Sequence, residues 1–240
     1  MSLAAAAPGG YELLALTADE RGQIEAQLST CFGLTAAGAR TWVDTSARAG
    51  MYYGWKVGET VAASVAFEPL GFALGSTTFQ SLLLQSHYVH PAYRGQGYRV
   101  TAALLDGVLK RHGAQAIVLC LYEDALARYW SEVGFVLEHG RETITVAESL
   151  RRWAAAPAPI VTAGYLAVKR EEAAADGAFV TEADGLVLLR ARGSGPHTEL
   201  LVIDLERALQ APAGMLVEQL EVTPIMSYPV RRGLFCPIVV

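Results

Sequence analysis

The stretch Ala116-Ile117-Val118-Leu119-Cys120-Leu121 constrains the fold more than any other. It has no polar alternation, so it is predicted as a strand buried on both faces, which requires cover on both sides of its sheet. Upstream, residues 79–89 read as another apolar strand. Residues 97–112 read as a helix, with Val100, Ala103, Leu104 and Val108 at helical spacing and Gly113 at its end. Strand, helix, strand in this register is a βαβ unit, normally parallel and right-handed.

The strand runs into the helix through Val89-His90-Pro91-Ala92-Tyr93-Arg94-Gly95-Gln96-Gly97-Tyr98-Arg99. The first amides of a helix lack internal partners and carry the positive end of its dipole. Gly95 and Gly97 let backbone N–H groups approach an anion closely, and Arg94 and Arg99 add charge. A phosphate-bearing ligand is expected here. A Rossmann-type nucleotide site fits less well, because Gly95-Gln96-Gly97 falls in mid-chain and lacks a third spaced glycine and an acidic ribose partner.

Taken in order, residues 11–16 are predicted as a first strand, and Thr17 with Glu20 forms a capping box for the helix that follows. Thr35 caps a second helix over residues 35–48. Residues 51–57 and 60–68 make a hairpin about Gly58-Glu59, and residues 69–76 a mobile connection. Asp124 caps a helix over 125–133 that stops at Gly134, after which Phe135-Val136-Leu137 resumes the sheet. A short helix is predicted over 147–156, and residues 164–169 as the last sheet strand. Beyond a boundary at 171–177, residues 179–192 and 199–205 are strand-like and joined by Gly193-Ser194-Gly195-Pro196. A short helix at 206–210 and strands near 215–223 and 234–240 follow. The expected class is α/β (α+β), a mixed central sheet flanked by helices. Residues 1–10 form a flexible start, 11–171 the main domain, and 172–240 a small strand-rich extension of unknown role.

With 240 residues, 52% of them hydrophobic and 18% charged, the chain can fill a sizeable core. Its net charge of -5 argues against general attraction to nucleic acid or an anionic membrane. Cys31, Cys120 and Cys236 show no metal or disulfide spacing, which favours a reducing cytoplasm. The alanine-rich start lacks the basic region of a signal peptide, and no run approaches the roughly 20 apolar residues of a membrane span.

Two motifs carry a family resemblance. Arg94-Gly95-Gln96-Gly97-Tyr98-Arg99 resembles the Arg/Gln-x-x-Gly-x-Gly/Ala loop of the GNAT (GCN5-related) N-acetyltransferases, which cradles the coenzyme A pyrophosphate. Arg99 departs from the pattern, standing where that family mostly has Gly or Ala. Trp130-Ser131-Glu132-Val133-Gly134-Phe135 is similar to the same family's aromatic residue followed four positions later by Gly-Phe. The resemblance covers about residues 10–170. It implies a sheet that splits between two parallel strands, here 82–89 and 116–121, with acetyl-CoA as co-substrate in the gap. Backbone groups at Tyr88 and Val89 would hold the pantetheine and polarise the thioester. Arg94, Gly95, Gln96, Gly97, Tyr98 and Arg99 would bind the pyrophosphate. A primary amine of a small molecule or peptide would attack directly, and the protein would mainly align the two.

Such a reaction needs a base for the ammonium proton and an acid for the leaving thiolate. The family's usual acid is a tyrosine at the place of Trp130, which has no phenolic proton. Tyr129 is the candidate acid, with a packed aromatic as its other reading. His87 on the central strand and Glu68 at the hairpin's end are the candidate bases, unless ordered water serves. Trp130 keeps open the alternative of an acyl-CoA-binding protein without turnover. The strand edges of residues 172–240 point to a cap over the acceptor site or a homodimer.

Overall fold

In a computed structural model, residues 10–48, 50–121, 123–183, 185–190, 198–229 and 233–235 are described. Local signals set the first elements. After β1 (Glu12–Leu13), helix α1 (Ala18–Phe32) begins at the predicted capping box: Thr17 accepts from the Glu20 amide while Glu20 reaches back to the Thr17 amide. A cap of this kind contributes about 1 kcal/mol. Helix α2 (Ala36–Arg48) is capped by Thr35. Strands β2 (Tyr52–Val57) and β3 (Thr60–Leu74) form the predicted hairpin.

The connection expected at residues 69–76 is instead mostly strand: β3 continues to Leu74 and turns directly into β4 (Thr77–Val89). Pro69 is tolerated because its partner Leu82 lies on one side only. The pairing of β3 with β2 ends at Ala66, before its pairing with the short strand near residue 158 begins at Phe72. Gly71 allows a close approach there, since a Cβ would lie 3.1 Å from the Ile160 side chain.

Helix α3 (Ala102–His112), β5 (Ala116–Cys120), α4 (Ala127–Val133) and β6 (Val136–His139) follow as the βαβαβ pattern requires. Then come β7 (Glu142–Thr145), α5 (Val146–Ala155), β8 (Ala158–Pro159) and α6 (Ala163–Asp176). The strand expected at residues 164–169 is therefore helix. Thr162 caps it, and buried Tyr165, Leu166, Lys169 and Ala173 follow helical spacing, so the apolar run is one stripe of a longer helix. The boundary expected at residue 171 falls inside this helix.

The remainder is β9 (Phe179–Ala183), β10 (Leu186–Arg190), β11 (Thr198–Val202), α7 (Leu205–Ala208), α8 (Ala213–Leu216), β12 (Gln219–Val222) and β13 (Ile225–Tyr228). The linker at Gly193-Ser194-Gly195-Pro196 and most of the strand expected at 234–240 lie outside the described residues. The region expected as one strand-like run at 179–192 is the hairpin β9–β10, and that expected near 215–223 is α8 followed by β12.

The central sheet is mixed, ordered β1-β2-β3-β4-β5-β13-β6 with β8 beside β3, and helices flank it. Only β4 and β5 are parallel neighbours among its described pairs. Strand β13, from the far end of the chain, fills the place between β5 and β6. One face carries α3 and α4, packed through Leu105, Val108 and Trp130, with Phe135 just after α4, onto Leu82, Leu84, Ile117 and Leu119. The other face carries α1 and α2 at one end. Toward β5 it meets α6 and the sheet β9–β10–β11, where Leu83, Val118 and Ile225 touch Leu166, Val187 and Leu201.

Candidate active site

Strands β4 and β5 pair only over Ser81–Leu84 and Ala116–Leu119. Beyond that point β4 stays with β3 as far as Val89, while the end of β5 turns to β13 and Leu121 donates to the Pro224 carbonyl at 2.8 Å. The two strands part. At the parting the β3–β4 register shifts: Ala66 faces Ser86 and Phe67 faces Leu84, so Gln85 is an extra residue, a β-bulge that bends the strand. A cleft open between parallel strand ends can admit an extended ligand.

The loop after β4 leads out of this cleft. Gly95 and Gly97 adopt φ of +75° and +88°, where a side chain would be strained. Among the described residues, the amides of Gly95, Gly97 and Tyr98 have no hydrogen-bond partner. Arg94 and Arg99 are exposed, and Arg94 Nε donates to the Val89 carbonyl at 3.1 Å, tying the loop to the strand end. Free amides and two guanidinium groups on a solvent-open loop suit a phosphate. One expectation is corrected: α3 begins at Ala102, not at residue 97. Thr101 caps it by accepting from the Leu104 amide, while Tyr98 is drawn into an aromatic cluster with Trp55 at 4.9 Å and Tyr93 at 5.6 Å. Burial of that ring outweighs another turn of helix, so the glycine loop stands off the helix start.

Of the three expected catalytic side chains, two meet and one does not. His87 lies on the α4 face of β4, stacked on Tyr129 at 5.9 Å and edge-on to Trp130 at 5.6 Å. Burial pushes its imidazole down to about 4, so it is neutral at neutral pH. Tyr11 Oη stands 3.2 Å from His87 Nε2, and burial, then the neighbouring Tyr129, raises the Tyr11 phenol. With both groups neutral, the imidazole tautomer sets which of them donates. The Tyr129 hydroxyl is buried and lacks a hydrogen-bond partner of normal geometry among the described residues. Its pKa is raised by burial, against the pull of the Val100 backbone and Arg99. Trp130 is packed against Phe135 in the core. His90 caps the short turn after β4, accepting from the Ala92 amide.

Glu68 lies on the opposite face. Its carboxylate accepts from Gln85 Nε2 at 2.5 Å and pairs with Lys169 Nζ at 3.2 Å. Lys169 also meets Glu172 at 3.1 Å and lies 5.4 Å above the Tyr165 ring. Burial raises the Glu68 carboxyl while Lys169 opposes it. Burial would lower Lys169, but Glu68, Tyr165, Glu172 and Glu199 hold it well above its usual value. Burial pushes Glu199 on β11 up to about 8, against Lys169 and with help from Glu172 and Glu68. Because its folded pKa exceeds its unfolded one, Glu199 stabilises most at low pH, and that contribution is lost as pH rises from the normal carboxylate range through about 8. Glu199→Gln is expected to flatten the decline in melting temperature over that window; an unchanged pH profile would refute the assignment.

Sequence reasoning missed Tyr11, Gln85 and Lys169 as members of this region. Gln85 did leave a signal, a polar pair with Ser86 breaking the apolar run Leu82-Leu83-Leu84. Tyr11 and Lys169 left none, since both reach their partners only through tertiary packing. Among the described residues no cluster suited to a metal ion occurs, Cys31 is a free thiol, and no helix is long and apolar enough to cross a membrane.

No family model and no curated protein matches the sequence. Solved structures do. A GCN5-related N-acetyltransferase from Kribbella flavida superposes with a TM-score of 0.55 at 18% identity, over 90% of this chain and 71% of that one. Another from Anabaena variabilis gives 0.52 at 14% identity, over 90% and 71%. The likeness spans more of this chain than the residues that carry the two motifs.

Proposed function

We propose that this chain, which has the fold of the GCN5-related N-acetyltransferases, is an acyl-CoA-dependent N-acyltransferase that moves an acetyl group from acetyl-CoA to a primary amine of a small molecule or peptide. The observation that carries this reading is the parting of β4 from β5 directly ahead of a loop with free amides and two exposed arginines. Arg94, Arg99 and the amides of Gly95, Gly97 and Tyr98 would hold the pyrophosphate, with Gln96 completing the loop. The backbone of Tyr88 and Val89, at the free end of β4, would meet the pantetheine.

Within the cleft, the Tyr129 hydroxyl is buried and lacks a hydrogen-bond partner of normal geometry among the described residues, and we assign it the proton for the departing thiolate. Neutral His87 would take the ammonium proton, directly or through water, in the tautomer whose Nε2–H donates to Tyr11 and leaves the Nδ1 lone pair free. Glu68 is committed to Lys169 and Gln85 on the other face, which supports a structural part for it. The free Cys31 thiol fits a reducing cytoplasm.

Trp130 supports a second reading, an acyl-CoA-binding protein without turnover. Incubating the protein with acetyl-CoA and a panel of primary amines, and following free thiol, separates the two. Under the first reading Tyr129→Phe slows thiol release by about a hundredfold with acetyl-CoA affinity retained. Acetyl-CoA binding with no amine-dependent thiol release would favour the second.

A further inference from the structure

The bulge residue Gln85 is held at both ends of its side chain. Trp42 Nε1 of α2 donates to Gln85 Oε1 at 2.9 Å, and Gln85 Nε2 donates to Glu68 of β3 at 2.5 Å. Glu68 is fixed in turn by Lys169 of α6, and Lys169 by Glu172, which accepts from Thr45 Oγ1 of α2 at 2.9 Å. Gln85 and Lys169 are each 5% exposed. Burying a primary amide and an ion pair costs desolvation that apolar residues would avoid, so their return must be sought in specificity.

A bulge has a position, and side chains downstream depend on it. With the extra residue at 85, Val65 faces His87 and His87 points toward α4, where it stacks on Tyr129. Moving the bulge along by one residue would turn an intervening residue to the opposite face. Slippage past residue 87 would take His87 away from Tyr129 and change where β4 leaves β5. An apolar side chain at 85 could not mark the site, because it would pack equally well in either register. The amide can, since it alone can donate to Glu68 and accept from Trp42 at once.

We propose that Gln85 is a positioning residue: its clamp between Trp42 and the Lys169-held Glu68 fixes the bulge, and through it the opening between β4 and β5. Through Lys169, the later part of the chain thereby sets the geometry of a cleft built by the earlier part. The consequence for acyl-CoA rests on the function proposed above; the clamp itself does not.

The test combines amide hydrogen exchange over residues 84–89 with calorimetric titration of acetyl-CoA. Gln85→Leu keeps bulk and removes both hydrogen bonds. It is expected to speed exchange at residues 86–89 and to weaken acetyl-CoA binding, each by about tenfold or more, while unfolding stays cooperative. Lys169→Met should act in the same direction. The Glu68→Gln, Lys169→Met pair restores an uncharged acceptor for Gln85 and should recover most of the affinity, a rescue that loss of packing alone would not show. Should Gln85→Leu fail to fold, Gln85→Glu replaces it: two carboxylates then face each other, and from mildly acid to mildly alkaline pH exchange at residues 86–89 should quicken more steeply than the base-catalysed rise that the wild type shows at the same amides. Exchange unchanged over 84–89 in these variants overturns the clamp. If the wild type binds no acetyl-CoA, the functional reading falls and the exchange data still decide the clamp.

Discussion

Replacing Arg94 and Arg99 together by alanine is expected to weaken acetyl-CoA binding by at least on the order of a hundredfold, since each charge-assisted hydrogen bond contributes roughly 1.5–3 kcal/mol. Both guanidinium groups are exposed, so neither holds the core and the variant should melt like the wild type. Arg94 has a second role through its bond to the Val89 carbonyl, which keeps the loop at the strand end. Its single variant should therefore cost more than that of Arg99. Wild-type affinity should also fall as salt rises, because the loop is open to solvent. Equal affinity of the double variant and the wild type would remove the loop from the site.

Ending the chain at residue 171 is expected to abolish cooperative folding. The cut removes Val187, Leu189, Leu201, Ile225 and Met226, all at most 5% exposed and packed on the central sheet or its flanking layer. Burying each contributes roughly 1.5–3 kcal/mol, a total comparable to the whole stability of a typical domain. It also removes β13, leaving facing edges of β5 and β6 unpaired. Near-ultraviolet dichroism and a thermal melt report the outcome. A sharp melting transition in the shortened chain would contradict a sheet completed by β13.

That expectation reverses the sequence reading of residues 172–240 as an appendage, for a physical reason. Ile225-Met226-Ser227-Tyr228 is only four residues long, without flanking periodicity, and its partners Ile117 to Cys120 lie about a hundred residues away in sequence. Nothing local announces such a strand. Residues 164–169 misled in the opposite way: Tyr165, Leu166, Ala167 and Val168 are consecutive and apolar, and a short apolar run does not distinguish strand from helix. The cap at Thr162 and the polar continuation to Asp176 decide it.

Where a signal is local, the sequence was readable. Thr17 and Glu20 specify their capping box between themselves, and the Gly58-Glu59 turn joins its two strands directly. The parallel pair β4–β5 followed from an unalternating apolar run and one intervening helix. In the site, the loop of Arg94 to Arg99 was legible as a motif, whereas the stacking of His87 on Tyr129 emerged only from the packing of α4 on β4. The start of α3 was not legible, because it depends on Trp55 and Tyr93 drawing Tyr98 inward. The Trp42–Gln85–Glu68–Lys169 chain was hidden for the same reason: four elements converge on it.

The central claim is that the β4–β5 cleft and its loop bind an acyl-CoA. Calorimetric titration of the folded wild-type protein with acetyl-CoA at low ionic strength tests it most directly. The account predicts saturable binding at one site per chain, weakened in the Arg94→Ala, Arg99→Ala variant. A folded wild-type protein that takes up neither acetyl-CoA nor coenzyme A would contradict it.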